Sequence, residues 1–157
     1  MRTKTMTHGS SGAPTLRVTG ADESYLLAED LFGLGSPIQY VWVFDDDPGE
    51  EAIDDLRRAI ARGALHRAVV RTRVPAARHR WVRSTFDPPT EVAAEIDEDA
   101  VGSWADERVR AARLRPADGT GWRIESALTP SGRRVMSLTI SHMISDGHGI
   151  YRALAAA

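Results

Sequence analysis

Residues 122–150 read WRIESALTPSGRRVMSLTISHMISDGHGI, and their pattern decides the fold. Two β-rich runs, 122–128 and 133–141, flank the turn TPSG, as the strands of a hairpin do. A period of two in the second run puts Met136, Leu138, Ile140 and His142 on one face. Three apolar residues thus lead to an imidazole at the strand's C-terminal end. Strand ends are where a sheet hands its chain to a cleft and presents chemistry. Asp146 and Gly147 follow within a turn, and GHGIYRALAAA then opens a helix. A carboxylate in that corner could hold the loop through an arginine, while glycine permits backbone shapes that other residues resist. On these residues alone two readings stand: a positioned functional imidazole, or a solvated histidine in a strand-to-helix loop.

Outward from this hairpin the chain alternates α and β. GADESYLLAEDLFG (20–33) is a short helical piece, and IQYVWVF (38–44) is a strand by its aromatic and β-branched content. DDDPGEEAIDDLRRAIARG then predicts a helix with Asp47 as N-cap, Pro48 in the first turn, acids early and arginines late. Ile53, Leu56 and Ile60 form its apolar stripe, and Gly63 ends it. AVVRTRV (68–74) and RWVRSTF (80–86) read as a second hairpin, and VAAEI (92–96) as a short strand. Asp97 is the expected cap of a further helix, with Val101, Trp104, Ala105, Val109 and Ala112 on one face. The simplest architecture for this order is α+β, a mixed sheet with helices packed on it as an α/β sandwich. Residues 1–15 are polar and rich in Gly, Ser and Thr, and are expected to be a disordered tail. Residues 16–157 are expected to form a single domain.

Composition narrows the function. A net charge of −2 gives no reason to expect a nucleic-acid partner or an anionic membrane surface. The absence of cysteine excludes disulfides, thiolate metal sites and a cysteine nucleophile. No apolar run approaches the ~20 residues of a membrane span, and the start carries no apolar signal region, so a cytoplasmic location is expected. His142, Asp146 and His148 read H-x3-D-x-H, but no fourth ligand accompanies them, and no metal is expected. The acidic run DDDPGEE lacks calcium-loop spacing and suits a helix N-terminus better. The GHG at 147–149 lacks the lysine and glycine spacing of a phosphate loop. His8, His66 and His79 read as surface or structural residues.

SHMISDG (141–147) resembles the HHxxxDG motif of the acyltransferase superfamily that contains peptide-synthetase condensation domains and wax ester synthase/diacylglycerol acyltransferases. Chloramphenicol acetyltransferases share a related motif. HRAVVRTRV (66–74) is similar to the family's RHExLRTxF segment, and residues 21–44 resemble the opening helix and first strand of the wax ester synthase branch. The likeness runs in order over residues ~20–155, which is more specific than one heptapeptide. It implies one subdomain of the chloramphenicol acetyltransferase-like fold, the N-terminal half of the family.

The roles that the resemblance implies fall on particular residues. His142 would take the proton from an acceptor hydroxyl or amine as that group attacks a thioester carbonyl. An ordinary imidazole, titrating near ~6.5, can accept and return a proton at neutral pH. Asp146 would pair with an arginine, Arg71 first and Arg67 second, and Gly147 would tighten the turn. Ser141 stands where the family has its first histidine. Ser145 and His148 join it as candidates to line the substrate channel.

The donor would be an acyl-CoA or a phosphopantetheine-linked acyl group, used as a substrate, with no tightly bound cofactor. The match covers half of the family pattern, so the active site is expected to be completed by a second chain, as a homodimer or a heterodimer. A carrier protein is a possible further partner. Exposed apolar surface is then expected, with Trp42, Trp81, Trp104 and Trp122 as candidates to line it, although large aromatics more often lie in a core. A non-catalytic scaffold subunit, or a histidine-assisted cyclase or dehydratase on the same fold, is the alternative.

Overall fold

A computed structural model describes residues 16–156 of this chain; the tail expected at 1–15 lies outside the described residues. The elements are α1 (Gly20–Phe32), β1 (Pro37–Phe44), α2 (Glu50–Arg62), β2 (Arg67–Val70), β3 (Arg80–Arg83), β4 (Thr90–Val92), α3 (Val101–Ala111), β5 (Trp122–Leu128), β6 (Arg134–Ser141) and α4 (Gly147–Leu154). A mixed four-stranded sheet runs in the order β1-β6-β5-β4, and β2 pairs with β3 in a separate ribbon. β6 is antiparallel to both its neighbours, β1 and β5, while β4 lies parallel to β5. The fold is therefore α+β, as the sequence predicts.

β6 is the centre of the molecule. It is paired on both sides, and all eight of its residues are buried. Met136, Leu138 and Ile140 point into the main core, joined there by Trp122 and Ile124 of β5, Ile53 and Ile60 of α2, Leu26 of α1 and Ile150 of α4. Burying each such aliphatic side chain contributes roughly 1.5–3 kcal/mol. The opposite face is polar, with Ser137 and Thr139 fully covered, and α3 packs Trp104 and Ala105 onto Ala127 and Val135 there. Gln39 ties that helix down by donating to the Ala105 carbonyl at 2.8 Å and to Ser137 Oγ at 2.9 Å.

Several boundaries differ from the sequence reading. Gly49, at φ 85°, takes the N-cap position of α2 in place of Asp47, and Pro48 precedes the helix. Asp47 has another partner: Arg134 donates to both its oxygens at 2.8 Å, and the Gly49 amide adds a third bond at 2.9 Å. The Arg134 guanidinium and that amide hold its carboxyl down at about 2. Asp97 makes no capping bond, because a 3-10 turn at Glu98–Ala100 intervenes before α3. The strand expected at 92–96 is Thr90–Val92; beyond it only the amides of Ala93 and Ile96 still reach β5, at the carbonyls of Ser126 and Leu128. The second hairpin is shorter than its apolar content suggests. The ladder ends at the Val70–Arg80 pair, and beyond it the Thr72 amide turns to His79 Nδ1 at 3.1 Å.

Three of the four tryptophans are core: Trp81, Trp104 and Trp122 are buried. Trp42 is half-buried and stacks on Tyr40 with centroids 5.8 Å apart. The exposed apolar surface is built instead from smaller or unexpected residues, among them Leu27, Leu31 and Phe32 of α1, Leu34, and Val41 and Val43 of β1. The tryptophans are drawn inward because their rings fill the gaps between sheet, ribbon and helix. Among the described residues, no helix is long and apolar enough to cross a membrane.

Candidate active site

The site is the corner where β6 becomes α4. Two amide bonds clamp the chain as it leaves the sheet: Ser141 N–H donates to the Gly121 carbonyl at 2.9 Å, and His142 N–H to the Ser36 carbonyl at 2.8 Å. Ile144 N–H then closes a turn on the Ser141 carbonyl at 2.9 Å. Met143 and Ile144 drive that turn into the core, with almost no exposure. Gly121 makes the room, since a Cβ there would stand 2.6 Å from Ile144 Cδ1. Position 142 is thereby fixed by hydrogen bonds on one side and by packing on the other.

His142 is the first residue beyond β6, in the turn that follows the strand, and it is half-buried. Its ring stacks on Tyr25 of α1, with centroids 4.7 Å apart and planes 21° from parallel. Sequence reasoning missed Tyr25; nothing in GADESYLLAEDLFG distinguishes an aromatic that packs on the core from one that meets the imidazole.

Among the described residues, Asp146 does not pair with an arginine. Its carboxylate accepts the Gly149 amide at 2.7 Å and caps α4, the role for which Asp at an N-cap is preferred. Arg71, the first expected partner, is held bidentately by Asp30, at 2.6 and 2.7 Å. Arg67, the second, reaches the loop by another route: its guanidinium donates to the Ile144 carbonyl and lies 4.0 Å over the Trp81 ring. An arginine thus secures the corner through backbone rather than through carboxylate. Burial lowers the Arg67 pKa, with the Asp22 charge opposing it.

Gly147 also differs from expectation. It has no positive φ, and a Cβ there would make only an ordinary contact, 3.7 Å from the Tyr40 hydroxyl. Tyr40 donates to its carbonyl at 3.0 Å. The tighter glycine of the corner is Gly149, where a Cβ would displace the Ser145 hydroxyl and approach Asp146 Oδ1 to 3.1 Å.

Two open grooves flank α1. The larger, of about 760 Å³, runs from Glu29, Asp30 and residues 33–37 to Arg110, Arg113 and Arg115, and Ser141 lies in its wall. The smaller, of about 380 Å³, lies between α1 and the turn before β3, lined by Leu26, Leu27, Arg71 and His79. His142 lines neither. Of the other expected channel residues, Ser145 is half-buried against Gly149 and His148 is exposed on the first turn of α4. In the larger groove, burial raises the Glu29 pKa against the opposing Arg115 charge, while the Arg71 hydrogen bond lowers that of Asp30.

No protein-family model matches the sequence, and no curated protein matches it. Solved structures match its fold. The starter condensation domain of the rhizomide synthetase RzmA superposes with a TM-score of 0.68 at 16% identity, over 90% of this chain and 36% of that one. A condensation domain that mediates chain release from the enacyloxin polyketide synthase gives 0.66 at 18%, over 93% and 30%. The first condensation domain of the calcium-dependent antibiotic synthetase gives 0.66 at 18%, over 91% and 37%. The chain spans about a third of the length of these structures and has a condensation-domain-like fold.

Proposed function

We propose that this chain is the histidine-bearing part of an acyltransferase of the condensation type, and that His142 is its general base. The observation that carries the proposal is that His142 directly follows the C-terminal end of the central strand, in a condensation-domain-like fold. Its amide is bonded to the Ser36 carbonyl, and its ring face stacks on Tyr25, which leaves the ring edge with its two nitrogens to meet a substrate. A neutral imidazole takes the proton of an acceptor hydroxyl or amine as the acceptor's oxygen or nitrogen bonds to the thioester carbonyl carbon. When the C–S bond breaks, the sulfur leaves as a thiolate and the imidazolium returns the proton to it. The HxxxDG resemblance supplies the same assignment.

The donor in this reading is an acyl-CoA or a carrier-bound thioester; one rhizomide structure is of a complex with C8-CoA. His142 lines neither of these two grooves, and in this reading the wall opposite it comes from a second protein surface, of this polypeptide or another. Without that wall, water reaches the base and proximity contributes little to the rate. The exposed Leu27, Leu31, Phe32 and Leu34 support such a covering surface.

The test is transfer from C8-CoA to a panel of amines and alcohols, followed by mass spectrometry of the product, with the chain alone and with any polypeptide that copurifies with it. An acyl product formed in either preparation supports the reading. A chain that binds the partner tightly while neither preparation forms product points to the scaffold subunit instead, the reading favoured by the absence of His142 from both grooves.

A further inference from the structure

A catalytic imidazole needs a fixed plane, and none of the groups first expected to provide it does so. Asp146 is bonded to the Gly149 amide, Arg71 to Asp30 and Arg67 to the Ile144 carbonyl. In hydrolytic triads a carboxylate on the second ring nitrogen orients the base; here, among the described residues, neither nitrogen has such a partner. The torsion that turns an imidazole about its Cβ–Cγ bond is broad and two-fold, so an unsupported ring samples many planes.

What meets the ring is Tyr25. The two rings are 4.7 Å apart and within 21° of parallel. Stacking constrains the plane of the imidazole while leaving the in-plane lone pair and the N–H available, which a hydrogen-bonded carboxylate does not. The Tyr25 hydroxyl makes no hydrogen bond to a described residue, so the ring face is the part in use. The helix that presents it is held at several points. Thr19 and Asp22 form a reciprocal cap at its start, each bond 3.2 Å, and neighbouring Leu26 is 2% exposed in the core. The Arg71–Asp30 pair ties down its last turn.

We propose that Tyr25 is the positioning residue of His142, setting the imidazole plane by stacking in place of an acidic partner. The proposal rests on the acyltransfer reading for its catalytic consequence, but its geometric content stands apart from it. The experiment uses the full chain with labelled histidine. In the parent protein the His142 ring protons are displaced upfield by the tyrosine ring current, and carbon relaxation of the ring gives a high order parameter. Y25F keeps both. Y25L, which keeps an apolar side chain but removes the aromatic ring, loses the displacement and lowers the order parameter in a chain that still folds cooperatively; Y25A does the same if it folds.

In transfer assays with C8-CoA, kcat of Y25L falls on the order of 10- to 100-fold with little change in KM, the scale on which misplacing a reacting group acts, and Y25F recovers it. An unchanged order parameter in Y25L, or a kcat equal to that of the parent while His142→Ala is inactive, overturns the proposal. A parent that transfers no acyl group, alone or with any polypeptide that copurifies with it, removes the acyltransfer reading, and the shifts and order parameters then decide the orientation claim by themselves.

Discussion

The Asp146 carboxylate accepts the Gly149 amide at 2.7 Å and so acts as the cap of α4, next to His142 but not bonded to it. The prediction is a helix-cap phenotype. Asp146→Ala lowers stability by about 1 kcal/mol, and Asp146→Asn or Asp146→Ser, which still accept that bond, stay within a few tenths of the parent. Chemical denaturation of the three variants measures it. A loss in Asp146→Asn as large as in Asp146→Ala would show that the negative charge, and hence an unseen cationic partner, is what the position requires.

Arg67 is the arginine of the corner. Its guanidinium bonds the Ile144 carbonyl and stacks on Trp81, so removing it leaves a buried carbonyl without a donor. Arg67→Met is expected to cost roughly 1–3 kcal/mol. Arg67→Lys does not restore the loss, because an ammonium cannot stack flat and bond the carbonyl together. Arg71→Met breaks only the partly exposed pair with Asp30 and is expected to cost less than about 1 kcal/mol. The reverse ranking in urea melts would refute this division of roles.

The hairpin that leads to His142 was legible in the sequence for a physical reason. Alternation along residues 135–141 and a turn at 129–132 are local signals, and the core lies where the alternation points. The partners of the charged residues were not legible. Arg71 and Asp30 are 41 residues apart, and Arg67 and Ile144 are 77 apart, so pairing depends on how ribbon and helix dock on the sheet. Asp47 reads as an N-cap because it precedes an acidic helix start, yet Arg134, 87 residues away, captures it. Tyr25 carried no mark of its role, since an aromatic among the mixed apolar residues of α1 has no period to betray it.

Gly121 is predicted to be intolerant of a side chain. A Cβ there would stand 2.6 Å from Ile144 Cδ1, a fully buried atom with little room to move. Gly121→Ala is expected to destabilise by roughly 1–3 kcal/mol through overpacking. Pairing it with Ile144→Val, which removes that terminal methyl, recovers part of the loss. A double-mutant cycle with no coupling would show that the glycine is not there for Ile144.

His66 supplies a pH dependence. Burial, and then the Arg83 charge, lower its pKa, and Trp122 Nε1 donates to its Nδ1 at 3.3 Å, which requires a neutral ring. A folded-state value below the unfolded one, near ~6.5, gives stability that is fully present above the unfolded value. It is lost as the pH falls through that value towards the folded one. Melting temperatures of the parent should fall between pH 7.5 and pH 5.5 more steeply than those of His66→Asn, whose side-chain oxygen can still accept from Trp122. Equal slopes would contradict the assignment.

The account stands most directly on the rate of acyl transfer by His142→Ala, measured beside its melting temperature and in the same assembly as the parent. The account predicts unchanged melting and a rate lowered on the order of 10²- to 10⁴-fold, the contribution expected of a positioned general base. A variant that folds, assembles and transfers acyl groups as fast as the parent would contradict it.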